Sequence, residues 1–271
     1  MSSSRSSLGE LASGKLLLDE PAEGVARLTI ANPERRGALD HEMLEALAGA
    51  ARTLDARCLL ITGQGTMFSA GYDIGNLEEG NFEEQAEELV AHPFQAAIEA
   101  LEDYAYPVVG QLNGHAIGGG LELALTCDVR VAARGITLGM PPAKLGLIYS
   151  HTGLRKFLDV CGAANTSELF FRGANVDTER AERMGLVNDV VEPDELAERA
   201  LELAAEIAGN APLSLAGNKR IIRTLRGAAT DLPEDVERSL ISLRESCFRS
   251  EDFREGVRAF AEKRRPRWKG R

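Results

Sequence analysis

No pair of histidines or cysteines in this chain has the spacing of a metal site. His41, His92, His115 and His151 form no H-E-x-x-H and no close pair, so a histidine-bound metal is not expected. Cys58, Cys127, Cys161 and Cys247 are scattered through apolar or helical segments without C-x-x-C spacing. They read as buried free thiols of a reducing cytosol, which points to a cytoplasmic protein. Basic charge is also short. Thirty-one Lys and Arg stand against 42 Asp and Glu, a net charge of −11, which argues against a general role on nucleic acid or a membrane surface. No apolar run approaches the length that spans a bilayer. Residues 1–14 are Ser-rich, lack the apolar core of a signal peptide and read as a disordered tail. Neither G-x-G-x-x-G nor G-x-x-x-x-G-K-[ST] occurs, and no internal repeat is visible. What remains is a 271-residue chain able to bury a substantial core, as one large domain or a core with an appendage.

The first two-thirds alternates strand-like and helix-like stretches. Leu16–Leu18 and Val25–Ile30 read as a hairpin around Pro21–Gly24. Asp40 can cap a helix over 41–53 with Met43, Leu44 and Leu47 on one face. Cys58–Thr62, Pro107–Leu112 and Val129–Ala132 are apolar strands, and a helix is expected over roughly 92–102. The acidic stretch Glu78 to Glu88 reads as a solvated segment or a lid. From about residue 152 the pattern turns helical, with heptad-like spacing at Leu196, Ala200, Leu203 and Ile207, then helices near 212–226, 231–247 and 250–263.

Two glycine-bearing loops carry the chemistry. Gly118-Gly119-Gly120 lies between an apolar strand and the helix-forming Leu121-Glu122-Leu123-Ala124-Leu125. Strand, glycine turn and helix aim free backbone N–H groups at a negative charge. Glycine lets a ligand approach without a Cβ in the way, and Glu122 falls in the dipole-favoured first turn. An oxyanion hole with an acid/base neighbour fits this arrangement; tight packing or a phosphate cradle would fit it as well. The second loop, Met67-Phe68-Ser69-Ala70-Gly71-Tyr72-Asp73-Ile74, follows the strand at 58–62.

Together the loops resemble the paired signatures of the enoyl-CoA hydratase/isomerase family, the crotonase superfamily. Phe68 to Asp73 matches F-x-A-G-x-D, and Asn113 to Ala124 follows N-G-x-A-x-G-G-G-x-E-L-A. Cys127-Asp128, Lys144-Leu145-Gly146, Gly185-Leu186-Val187-Asn188 and the ending from Glu251 to Arg264 also fit. The resemblance implies an α/β fold, a crotonase-like spiral of strand-strand-helix turns over 15–200. A helical C-terminal region over 201–271 would pack the chain into homotrimers or hexamers. It implies an acyl-CoA substrate, with coenzyme A as the thioester part and no separate cofactor. The N–H groups of Tyr72 and Gly119 would grip the thioester oxygen, and Arg35, Arg36, Ala70, Tyr72 and Lys263 would border the CoA. Lys263 would reach the CoA phosphates across a subunit boundary.

Glu122 matches one of the two glutamates that hydratases of the family use. The second belongs to G-x-P-E, where this chain reads Gly139-Met140-Pro141-Pro142. Proline has no proton to exchange, which speaks against two-glutamate hydration. Pro142, Leu145-Gly146 and Tyr149 instead resemble the methylmalonyl-CoA decarboxylase branch, although that branch has histidine at the position of Tyr72. The leading expectation is an acyl-CoA lyase of decarboxylase type with Tyr72, Gly119, Glu122 and Tyr149 as catalytic residues, and Ser150 and His151 as reserve proton donors. The alternatives are a hydratase or isomerase using Glu122, and a catalytically weak acyl-CoA-binding member.

Overall fold

The structure is a computed structural model in which residues 7–72, 93–228 and 232–271 are described. The chain opens with β1 (Ser7–Leu11), β2 (Leu16–Ala22), β3 (Val25–Ile30), β4 (Ala38–Leu39) and helix α1 (His41–Thr53). There follow β5 (Cys58–Gly63), β6 (Met67–Ser69), β7 (Gly71–Tyr72), α2 (Pro93–Asp103), β8 (Val108–Leu112), β9 (His115–Ile117) and α3 (Gly119–Thr126). Then come β10 (Val129–Ala133), β11 (Thr137–Gly139), α4 (His151–Arg172), β12 (Val176–Asp177), α5 (Thr178–Arg183) and β13 (Asp189–Val191). Four helices close the chain: α6 (Leu196–Gly209), α7 (Pro212–Ala228), α8 (Glu234–Phe248) and α9 (Glu251–Ala261).

Among the described residues the strands form three sheets. The largest runs β1-β2-β3-β5-β8-β10-β13, antiparallel through β1, β2 and β3 and parallel thereafter. A smaller sheet runs β12-β11-β9-β6, and β4 pairs with β7. Each turn of chain gives one strand to each main sheet and then a helix: β5, β6 and α2; β8, β9 and α3; β10, β11 and α4. This is the expected spiral. Parallel strands buried on both faces need continuous apolar runs, and all six residues of Cys58–Gly63 and all five of Val108–Leu112 are buried. Asp40 caps α1 by accepting from the Met43 N–H at 2.9 Å, and Met43, Leu44 and Leu47 turn inward. All four cysteines are buried and free. No helix among the described residues is long and apolar enough to cross a membrane.

Two boundaries differ from expectation. Residues 7–14 are not a disordered tail: β1 extends the large sheet with Leu11 opposite Leu16, and Leu11 and Ala12 pack on the core. Serine-rich composition concealed a strand whose pairing supplies the order. A division at residue 200 also fails, because it cuts through α6. Ala200, Ala204 and Ala208 of this helix pack on Val25, Cys58, Leu60 and Val109 of the large sheet. Of the heptad-like set, Leu196 and Ala200 are buried, whereas the bulky Leu203 and Ile207 are half-buried on the flank. Small alanines instead let the helix sit close to the strands. The acidic stretch Glu78 to Glu88, read as a solvated segment or a lid, lies outside the described residues.

Candidate active site

The register of the small sheet builds the site. Ser69, at the end of β6, lies opposite Ala116 of β9, so the chain leaving one strand runs against the chain leaving the other. Gly71 has φ +83°, and a Cβ there would stand 2.7 Å from the Gly119 nitrogen. A Cβ on Gly120 would stand 2.2 Å from the Ser69 carbonyl oxygen. Such distances are impossible for real side chains, so both positions require glycine. The Ser69 hydroxyl locks the loop, donating to the Gly37 carbonyl at 2.7 Å and accepting from the Gly71 N–H at 3.1 Å. Gly118 ends the strand and caps α3. Its carbonyl accepts from the N–H groups of Leu121 and Glu122 at 3.0 and 3.1 Å. Gly119 and Gly120 supply first-turn amides that a helix cannot satisfy internally. The chain at Gly71 therefore runs directly against the Gly119 amide.

Helix α3 is buried throughout, which takes Glu122 out of water. Its carboxylate accepts a short hydrogen bond from the Tyr149 hydroxyl, and Tyr72 lines the same cavity as Tyr149. The three side chains cluster at one side of the cavity, with the Tyr72 ring packed 4.7 Å from Phe94. Burial raises the Glu122 pKa above the ordinary carboxylate value; the Lys156 charge and the Tyr149 bond oppose that shift. Burial, reinforced by the Glu122 charge, pushes both tyrosines well above the ordinary phenol value. Lys156 is itself buried and bonded to Glu102. Packing is tight: a Cβ on Gly153 would stand 2.5 Å from the Tyr149 ring and 3.0 Å from Glu122 Oε2.

Tyr72 and Tyr149 face a cavity of about 240 Å³, walled also by Phe94, Ile148, His151 and Arg244. Pro142 is buried at the start of a 3-10 turn, Pro142–Leu145, that leads into this wall. Ser150 and His151 line the cavity too. The Ser150 hydroxyl caps α4 through the Gly153 N–H at 3.1 Å, and His151 Nε2 lies 3.5 Å from Glu237 Oε1. Glu99, exposed at the mouth, accepts from Gln95 at 2.9 Å. A larger open cleft of about 810 Å³ lies between α9 and the chain end. It shares no residue with the two-loop site, and ion pairs such as Arg264–Glu255 and Lys269–Glu251 cross it. Among the described residues no group of three His, Cys, Asp or Glu side chains could hold a metal ion.

Of the residues expected at the site, Tyr72, Gly119, Glu122 and Tyr149 come together. Ala70 joins the Arg35–Arg36 turn, its N–H donating to the Arg36 carbonyl at 3.1 Å. Arg35 and Arg36 are exposed in that turn. Lys263 is not brought to the cavity within one chain. It stands exposed after α9 with φ 53°. Sequence reasoning missed Lys156 and Arg244. Lys156 carries a signal in hindsight, a lysine one turn beyond the capped start of α4. Arg244 carries none, because only the packing of α8 brings it to the cavity.

The sequence profile of the enoyl-CoA hydratase/isomerase family matches residues 20–271. The carnitinyl-CoA dehydratase of Salmonella typhi is 36% identical over 224 residues, 80% of this chain and 83% of that protein. The Bacillus subtilis (strain 168) protein YngF, whose name assigns it only provisionally to the enoyl-CoA hydratases/isomerases, is 34% identical over 253 residues. That match covers 92% of this chain and 95% of YngF. A solved structure of methylmalonyl-CoA decarboxylase in complex with 2-nitronate-propionyl-CoA superposes with a TM-score of 0.85. It has 27% identity over 95% of this chain and 99% of the other. With both loops in register, the spiral in place and a family match over most of its length, the chain belongs to the enoyl-CoA hydratase/isomerase family as an acyl-CoA enzyme of the crotonase superfamily.

Proposed function

We propose that the protein decarboxylates a malonyl-type acyl-CoA thioester. The observation that carries this reading is the pairing of Glu122 with Tyr149 where the second hydratase carboxylate is replaced by buried Pro142. Loss of carbon dioxide needs no base. The electrons of the bond to the carboxylate carbon flow into the thioester carbonyl, giving an enolate and carbon dioxide. The backbone N–H groups of Tyr72 and Gly119 then hold the oxyanion, and removing one such donor costs about 3 kcal/mol in other enzymes. A thioester enolate is far more basic than a phenolate, so even a buried tyrosine suffices to protonate it. Tyr149 delivers its proton to the α-carbon and is reprotonated through Glu122 or the Tyr72 hydroxyl. Arg35, Arg36 and Ala70 border the CoA, and Lys263 reaches it from a neighbouring subunit of a trimer.

A second reading, hydration or isomerisation on Glu122, is favoured by the names of the sequence relatives, a dehydratase and a hydratase/isomerase. Position 142 separates the two. Pro142→Glu places another negative charge near the substrate carboxylate and is expected to depress decarboxylation by roughly tenfold or more. It should leave hydration of a short enoyl-CoA unchanged or raised. Carbon dioxide release and thioester absorbance, measured on variant and parent, decide. Equal decarboxylation by both proteins contradicts the assigned role of Pro142.

A further inference from the structure

Arg244 lies on α8, far along the chain from either signature loop, yet it walls the same cavity as Tyr72 and Tyr149. Its Nε is buried and has no hydrogen-bond partner. An unpartnered guanidinium nitrogen away from water is a costly state that proteins ordinarily relieve with an acceptor. The other nitrogen-bearing side chains near the cavity have partners: Lys156 pairs with Glu102, and His151 Nε2 lies 3.5 Å from Glu237 Oε1. Arg244, Tyr72 and Tyr149 line one cavity, so an anion bound at Arg244 sits near the tyrosines and the Tyr149–Glu122 pair.

We propose that Arg244 binds a carboxylate carried on the acyl group, so that the protein selects CoA monothioesters of dicarboxylic acids over uncharged acyl-CoAs. The inference rests on reading the Tyr72–Tyr149 cavity as the acyl site. The edge of a guanidinium formed by Nε and one terminal nitrogen matches the two oxygens of a carboxylate. A hydrogen-bonded charge in such a setting corresponds to roughly 10- to 100-fold in affinity. Because a cation steadies the carboxylate before it leaves, Arg244 acts on binding and not on the bond-breaking step. Truncation should therefore raise KM while leaving kcat unchanged or higher.

Equilibrium binding tests this on the full-length assembly, with two unreactive thioethers, carboxypropyl-CoA and its uncharged counterpart butyl-CoA. The parent should prefer the charged ligand by roughly 10- to 100-fold. Arg244→Met should abolish that preference while binding butyl-CoA within about twofold of the parent, and Arg244→Lys should retain part of it. A folded Arg244→Met protein that keeps the full preference overturns the proposal, as does a parent with no preference. Carbon dioxide release by the parent is read separately. An Arg244-dependent preference without decarboxylation supports the carboxylate site and removes only the decarboxylase reading.

Discussion

Glu122 sits in the first turn of a fully buried helix, with its carboxylate committed to Tyr149. Burial raises its pKa, so the folded state holds this proton more tightly than the unfolded chain does. Ionising it costs stability. The cost grows as pH rises from the unfolded value through the raised folded value and is constant above it. Glu122→Gln keeps the acceptor for Tyr149 and removes the charge. Its melting temperature should exceed the parent's at pH 8, with the gap closing toward pH 4. Decarboxylation should survive within about tenfold, whereas general-base hydration would lose roughly 10²- to 10⁴-fold. Thermal melts across pH and paired assays check both. Gly71, Gly119, Gly120 and Glu122 were legible in the sequence because a backbone hole needs glycine at fixed offsets from a helix start. Tyr149 was legible only through resemblance at its position. Arg244 was not legible, since no local pattern ties α8 to the cavity.

At the scale of elements, α6 belongs to the spiral, held by its alanine stripe on the large sheet and by Leu196 in the core. Ala204 is fully buried against the large sheet, so Ala204→Leu has nowhere to place three more carbons. Overpacking of this kind costs about 1–3 kcal/mol, which chemical denaturation of the parent and variant would measure. An unchanged midpoint would return α6 to the C-terminal region. The apolar strands and the Asp40 cap were legible because each follows from a local rule of burial or hydrogen bonding. The strand at Ser7–Leu11 was not: its alternation is weak, and its order comes from pairing with Leu16–Ala22.

For the whole molecule, α7 to α9 leave large apolar side chains exposed, among them Leu213 at 90%, Leu225 at 66% and Phe260 at 63%. Exposed apolar side chains in such number mark an interaction surface, and the proposed trimer would cover them while bringing Lys263 of one subunit toward the CoA of the next. Ile222→Glu together with Leu225→Glu should convert a trimer into monomers in sedimentation at micromolar concentration and weaken CoA binding. A parent that sediments as a monomer with full CoA affinity would contradict this. The central claim, that the two-loop site drives loss of carbon dioxide, has a direct measurement. The parent protein is incubated with malonyl-, methylmalonyl- and crotonyl-type CoA thioesters, and carbon dioxide and hydrated product are followed together. The account predicts stoichiometric carbon dioxide from a malonyl-type thioester, with slow or no hydration of the crotonyl thioester. Brisk hydration with no carbon dioxide from any malonyl-type thioester would contradict it and leave Glu122 to carry hydration without its usual partner.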